Sequence, residues 1–314
     1  MNTPSKPYFS VEEVRKNKIK TGILILIMAL IILILSIGIG YMAEDVYYGL
    51  TIGVIITVIV IPIQMLTAKS AILSMSRGKK LDMANDRHRK LQSIVEGLAV
   101  SAGMRRTPDI YIVPSNVPNA FASGMSEKDA FVCVTQGLMD MLDDTEITGV
   151  IGHEISHIIH RDIMVSQLAV SLVSIIIMLS SVLYRMAFWG RGNRNSDRDN
   201  NSNAGAIIAI IAIAAVLLQP FARIIGSLIE LSISRKREYA ADAYAVRLCG
   251  YNEGLASALE KIGGVGPYSK EQVESLGGSQ LKCMYINFPI KNAASLFSTH
   301  PPIEERINRI RNMY

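Results

Sequence analysis

The sequence predicts a mainly α-helical membrane protein. It should have four transmembrane helices and a soluble α+β portion with a small three-stranded sheet. Three observations point there. Half of the 314 residues are hydrophobic, yet aromatics make up only 6%, so aliphatic side chains dominate in the proportion that lipid-facing helices need. Four long apolar runs interrupt the chain, at 21–41, 47–68, 163–183 and 204–231. Between and after them lie polar stretches with the periodicities of ordinary soluble helices and strands.

The first run, TGILILIMALIILILSIGIGY, carries no charge. At ~1.5 Å per residue it is long enough to cross the hydrocarbon layer and too long for a signal-peptide core. The second, YYGLTIGVIITVIVIPIQMLTA, is similar, and Glu44 and Asp45 sit in the link between them. Lys6, Arg15, Lys16, Lys18 and Lys20 precede the pair, and Lys69, Arg77, Lys79 and Lys80 follow it. Basic residues at both outer ends place both ends in the cytoplasm. Residues 1–20 then read as a cytoplasmic tail and 21–68 as a first transmembrane hairpin. The third and fourth runs form a second hairpin, 163–231, around a polar low-complexity loop at 184–203. That loop carries Arg185, Arg191, Arg194 and Arg198, more positive charge than an exported loop usually holds. The net charge of +5 is modest. No basic patch is interleaved with aromatics, which argues against a nucleic-acid partner. Cys133, Cys249 and Cys283 are scattered and odd in number, which fits a reducing compartment better than a disulfide framework.

Two segments remain for a soluble domain, 69–162 and 232–314. In the first, 83–104 has helical periodicity. DIYIV (109–113), NAFASG (119–124) and AFVCVT (130–135) read as three strands separated by turn residues. A helix follows from about Asp144 or Thr145, either of which can cap it. The second segment holds helices around 232–248 and 252–262 and another after STHPP.

The chemistry concentrates in GHEISHIIHRD, residues 152–162, which holds three of the five histidines. Positions i and i+4 of a helix share a face, so His153 and His157 point at one spot, as two nitrogen ligands of one zinc ion must. Glu154 is rotated about 100° from His153. That is too far round for a ligand and well placed to take a proton from a water near the metal. H-E-x-x-H is thus a peptide-hydrolysis motif. The extended form H-E-x-x-H-x-x-G-x-x-H is not met, because its later positions are His160 and Ile163. His160 lies a further turn along and cannot join His153 and His157 around one tetrahedral ion. It reads as a surface residue or a support for the ligands. A third ligand must come from elsewhere. Glu238 and Asp242, an i,i+4 pair in REYAADAY, offer one carboxylate for the metal and one to hold a ligand histidine by its ring N–H. An ordinary exposed acidic pair beside Arg235, Lys236 and Arg237 is the alternative.

TEITGVIGHEISHIIHRD, EYAADAYAVRL and FSTHPPIEERI, in that order, resemble the HtpX family of membrane zinc metalloproteases, relatives of the CAAX-prenyl endoproteases. PNAFASG, VTQGLMDML and the four apolar runs resemble it too, over roughly 15 to 310. The resemblance implies a gluzincin-type zinc protease domain with one Zn²⁺ per chain. His153, His157 and Glu238 would be its ligands, Glu154 the general base, and Asp242 the acidic residue one turn after the third ligand. It implies a substrate-facing edge strand in PNAFASG, which makes Asn119, Ala120 and Phe121 candidate substrate contacts. His300 in STHPP could stabilise an oxyanion or merely cap the last helix. The family often has Asn where this chain has His160, and MYINFPI (284–290) departs from its pattern. The implied function is a zinc metalloendopeptidase of the plasma membrane of a bacterium, multi-pass, with its active site facing the cytoplasm. It would cleave cytoplasmic regions of misfolded membrane proteins in quality control under stress. Three other readings compete. An intramembrane protease is disfavoured by the charged flanks of the motif. A zinc-stabilised scaffold is disfavoured because a structural site has no use for Glu154. A zinc transporter would want ionisable residues inside the spans.

Overall fold

Two long helices open the described chain. In the computed structural model, which describes residues 11–42, 44–124, 126–161, 181, 235–266, 268–276 and 301–313, α1 runs Val11–Met42 and α2 runs Val46–Ser76. The apolar runs 163–183 and 204–231, the loop 184–203, Cys283 and His300 lie outside the described residues, apart from Ser181. Chain contacts separate two compact units. Residues 22–64 belong to one, and 65–161 with the C-terminal helices belong to the other.

In the first unit, α1 and α2 meet along a seam of small residues. A Cβ on Gly49 would lie 2.4 Å from the Ser36 carbonyl oxygen, and one on Gly53 would lie 2.7 Å from Ser36 Cβ. Ser36 and Gly40 are four apart on α1, and Gly49 and Gly53 are four apart on α2, so each helix offers one small-residue face. Tyr48 N–H donates to Asp45 Oδ1 at 2.9 Å, closing the turn. Away from the seam the surface is apolar all round: Ile34 is 65% exposed and Val58 67%. Both helices are long and apolar enough to cross a membrane, over Arg15–Ile34 and Val46–Ile63. Such faces suit lipid and not water.

The second unit is built on a mixed sheet. The three expected strands are present as β2 (Asp109–Val113), β3 (Ala120–Ser123) and β4 (Phe131–Thr135). The sheet nonetheless has four strands, in the order β1-β2-β4-β3, because β1 (Lys79–Lys80) pairs antiparallel with β2. The three-stranded expectation is corrected on this point. Two lysines show no alternation and little strand preference, so nothing local announced them. β2 and β4 run parallel, with Tyr111 opposite Cys133, and β3 returns antiparallel to β4 with Phe121 opposite Cys133. The β3–β4 connection is tight: Gly124 has φ 133°, and a Cβ there would stand 2.6 Å from Ala130 Cα.

The three main strands are buried on both faces, so they read as near-continuous apolar runs without alternation. One face presents Ile110, Ile112, Ala120, Ala122, Val132 and Val134 to α3 (Asp86–Ser101) and α5 (Asp144–His160). The other presents Tyr111, Val113, Phe121, Phe131 and Cys133 to Ile72, Leu73 and Met75 on the last turns of α2. Those turns are fastened: Lys69 Nζ lies 2.6 Å from Asp109 Oδ2 and over the Tyr111 and Phe131 rings. Between β4 and α5 comes the short α4 (Gln136–Met141), capped by the Thr135 side chain.

Further helices complete the unit: α6 (Arg235–Cys249) and α7 (Glu253–Gly264) pack on α5, and α9 (Ile303–Arg311) packs on α6 and α7, with the short α8 (Lys270–Ser275) between α7 and α9. α5 lies against the backbone of α7 and against the Cys249 side chain of α6. A Cβ on Gly149 would lie 2.6 Å from Leu255 N, and one on Gly152 would lie 2.9 Å from Cys249 Sγ. Gly149→Ala should therefore push α7 away and destabilise the protein by about 1–3 kcal/mol. Val100→Ala on the exposed face of α3 should change stability by less than about 0.5 kcal/mol. Unfolding of both variants in detergent, followed by circular dichroism, checks the contrast.

Candidate metal centre

Helix α5 begins where the chain can best begin it. Asp143, one residue before the expected caps, accepts from the Thr145 and Glu146 N–H groups, and Glu146 reaches back to the Asp143 N–H at 2.9 Å. This capping box satisfies three otherwise orphaned donors. Glu146 also bonds Ser257 and Lys261 on α7, at 2.6 and 2.8 Å, so one carboxylate sets both the start of α5 and its distance from α7.

Two turns on, His153 and His157 face one another, with their Nε2 atoms 3.1 Å apart. Glu238, in the first turn of α6, brings Oε2 to 3.6 Å from His153 Nε2 and Oε1 to 3.6 Å from His157 Nε2. The three residues form a group that can hold a metal ion. Zinc bonds to nitrogen and carboxylate oxygen of about 2.0–2.1 Å imply donor separations of about 3.3 Å in a tetrahedral site. The two histidine nitrogens lie 3.1 Å apart, each lies 3.6 Å from a different oxygen of Glu238, and one donor atom from each residue falls within 4.8 Å of the others. His153 and Glu238 are buried and His157 is nearly so.

Asp242, one turn beyond Glu238, sets Oδ1 2.9 Å from His153 Nδ1. A proton on Nδ1 leaves the Nε2 lone pair directed at the donor triangle. Burial would raise the Asp242 pKa, but the charges of Arg306 and His153 overcome it and hold the carboxyl below its usual range. Burial pushes the His153 imidazole down, against the pull of Asp242, and favours the neutral ring that a metal requires.

Glu154 points to the other side of the triangle, toward the sheet. Its Oε2 accepts the Ala122 N–H of β3 at 2.8 Å. Burial is the largest influence on this carboxyl and pushes it up to about 7, against the favourable effects of His157 and the Ala122 N–H. That is the range in which a carboxylate trades protons readily at neutral pH.

The remaining sequence candidates fall as follows. His160 is buried away from the triangle: its Nδ1 lies 2.7 Å from the Ser156 carbonyl oxygen and its ring stands edge-on to Tyr244. Asn119 belongs to the β3–β4 ladder, its carbonyl accepting from Thr135 N–H at 2.9 Å. Phe121 turns its side chain into the core shared with α2. Ala120 lies on the α5 face with Ala122. By strand alternation the Ala120 backbone groups point away from β4, as the Ala122 N–H does.

One member of the cluster escaped the sequence reading. Arg306 on α9 is fully buried, and its Nε and NH2 groups bond Asp242 at 2.9 and 2.7 Å. In the sequence it lies in EERINRIR, which looks like a solvated charged face. The available signal was its register: Ile303, Arg306, Ile307 and Ile310 form one i, i+3, i+4, i+7 stripe, and an arginine on such a stripe needs a buried partner.

The donor set on α5 and α6 is that of a metalloprotease, and comparison with known proteins agrees. The family model described as "Peptidase family M48" matches residues 85–314. A protein named Protease HtpX homolog from Listeria monocytogenes serotype 4a is 38% identical over 308 residues, 96% of this chain and 99% of that one. Another so named, from Dictyoglomus thermophilum, is 36% identical over 98% of this chain and 96% of its own. Among solved structures, Ste24p of S. mikatae aligns with a TM-score of 0.46 at 21% identity, covering 96% of this chain and 67% of that one. This chain belongs to peptidase family M48 and is a membrane-associated metalloprotease of the HtpX type. Peptides or proteins are its substrates.

The charges of the site make a prediction about stability. Glu154, Glu238 and Asp242 against Arg306 leave an excess of two negative charges when all are ionised, which one divalent cation neutralises. Zinc at about 100 times its dissociation constant should stabilise the metal-free protein by about 2.7 kcal/mol. Thermal unfolding of the chelator-treated protein during zinc titration should show the rise, and His153→Ala should abolish it.

Proposed function

We propose that the protein is a zinc-dependent endopeptidase, with one zinc ion per chain held by His153, His157 and Glu238, and with Glu154 as general base. It would hydrolyse peptide bonds in cytoplasmic regions of misfolded membrane proteins. The main support is the convergence of His153, His157 and Glu238, one ligand atom from each within 4.8 Å of the others, beside a carboxyl that no ligand role uses. A site that only stabilised a fold would have no need of that carboxyl.

Zinc, when bound, polarises a carbonyl oxygen and makes a nearby water more acidic. The chain's own residues do the rest. The Ala122 N–H holds Glu154 Oε2, which leaves Oε1 to take the proton of the attacking water. As the C–N bond breaks, the same carboxyl returns the proton to the departing amine nitrogen. Asp242 keeps His153 in the tautomer that presents Nε2. Because Ala122 belongs to β3, the strand that positions the base is also, among the described residues, an edge of the sheet. An extended peptide can pair with the outward groups of Ala120, which puts its scissile bond beside Glu154.

The division of the chain follows from the same reading. Residues 69–162 and 232–314 form the catalytic domain, and 21–68 and 163–231 form two transmembrane hairpins. His153 and His157 precede the second hairpin and Glu238 follows it, so residues 163–231 cross the membrane an even number of times. The basic residues at 6–20 and 69–80 put the active site in the cytoplasm. This accords with cleavage of cytoplasmic segments in membrane-protein quality control.

The decisive experiment is proteolysis of a model membrane protein by the purified enzyme in membranes. His153→Ala, His157→Ala and Glu238→Ala should lose zinc and activity together. Glu154→Gln should keep about one zinc per chain and lose at least 100-fold in kcat, and a chelator should abolish wild-type activity. Zinc retained in Glu238→Ala but lost in Glu154→Gln would reverse the assignment. For topology, Ser196→Cys and Val100→Cys are compared in a background whose native cysteines are replaced. A membrane-impermeant thiol reagent on intact cells should label the first and reach the second only after the cells are opened. Protection of both would mean that 163–231 does not span.

A further inference from the structure

We propose that Arg306 is a positioning residue of the metal site, holding Asp242 and Glu238 in the arrangement that presents His153 Nε2 to zinc. This rests on the ligand assignment proposed above. The Arg306 guanidinium is fully buried. Its Nε donates to Asp242 Oδ2 at 2.9 Å and its NH2 to Asp242 Oδ1 at 2.7 Å. NH2 also lies 3.4 Å from His153 Nδ1. Among the described residues NH1 has no hydrogen-bond partner, and it lies 3.9 Å from Glu238 Oε2. One planar group therefore touches a ligand, the residue that orients a second ligand, and that second ligand's ring.

Arg306 acts on the site in two ways. A carboxylate held by the His153 N–H alone could rotate and release it. The two-bond fork removes that freedom, because both Asp242 oxygens are then committed. With Asp242 fixed, the His153 proton stays on Nδ1 and the Nε2 lone pair stays on the metal side. Second, Glu238 and Asp242 are like charges one helical turn apart, an unfavourable pair even on a surface. The guanidinium lies against both and offsets their repulsion. A lysine would supply the charge without the fork.

The fold holds Arg306 from behind. Ile307 and Ile310 of α9 are buried in the core. Arg311 binds Glu253 and Glu260 of α7 at 2.6 and 2.8 Å. Arg309 stacks over the Tyr239 ring of α6, 3.9 Å from its centroid. Helix α9 is thus keyed to α6 and α7, and a shift of α9 would be felt at His153 through Arg306.

The test uses the full chain in detergent and reads zinc affinity by competition with a chromogenic chelator, alongside melting of the metal-free protein. Arg306→Lys should weaken zinc binding by about 10–100-fold. On an Asp242→Asn background it should add little, because both act on the same bond. Unchanged affinity with a lowered melting temperature would make Arg306 a structural ion pair only and overturn the proposal. Fully additive losses would overturn it as well. If Arg306→Lys does not fold, the surface variant Arg311→Ala decides. Several-fold faster zinc release supports coupling through α9, and a wild-type rate overturns it. His153→Ala and Glu238→Ala serve as controls. If either keeps its full zinc complement, the ligand assignment has failed. If both are depleted, wild-type affinity in Arg306→Lys overturns the role of Arg306 alone.

Discussion

Everything at the site depends on how closely α5 can approach its neighbours. His153 and His157 come from one helix and Glu238 from another, yet one ligand atom of each lies within 4.8 Å of the others. That convergence depends on how the two helices are spaced. Gly152 opens α5 toward Ala245 and Cys249 of α6, while Gly149 and Gly254 bring α7 against the other flank. The glycines are conformationally ordinary here. Their contribution is the missing Cβ, which sets the spacing of the helices and hence the edges of the donor triangle.

The second organising feature is the concentration of charge in a dry interior. Glu154, Glu238, Asp242 and Arg306 are all buried, and an uncompensated buried charge is costly. Each has a defined counterpart: Arg306 for Asp242, the Ala122 N–H for Glu154, and the two histidines for Glu238. The same low-dielectric setting pushes the Glu154 carboxyl up to about 7. Burial here serves the chemistry and the architecture together.

Local information in the sequence carried far. The i,i+4 spacing of His153 and His157 was enough to put them on one face, and the apolar runs were enough to announce α1 and α2. The three main strands could be located from β-rich stretches between turn residues. Features that depend on distant partners were less visible. Glu238 and Asp242, more than 80 residues from the histidines, looked no different from a surface acidic pair until the order of motifs suggested a family. Arg306 was hidden by its charged neighbours, because register marks it as a core residue while composition marks it as solvated. β1 owes its existence to β2 alone. Lys69 marks where the apolar run stops, and the helix itself continues past it to Ser76.

That continuation has a consequence for how the protein is made. Ile72, Leu73 and Met75 cover the sheet face that holds Tyr111, Phe121 and Phe131, so one wall of the proteolytic unit is the tail of an anchor helix. The wall leaves the ribosome before any main strand does. The later strands can assemble on that surface as they emerge. Without the last turns of α2, the face that carries Tyr111, Phe121 and Phe131 would lose its cover.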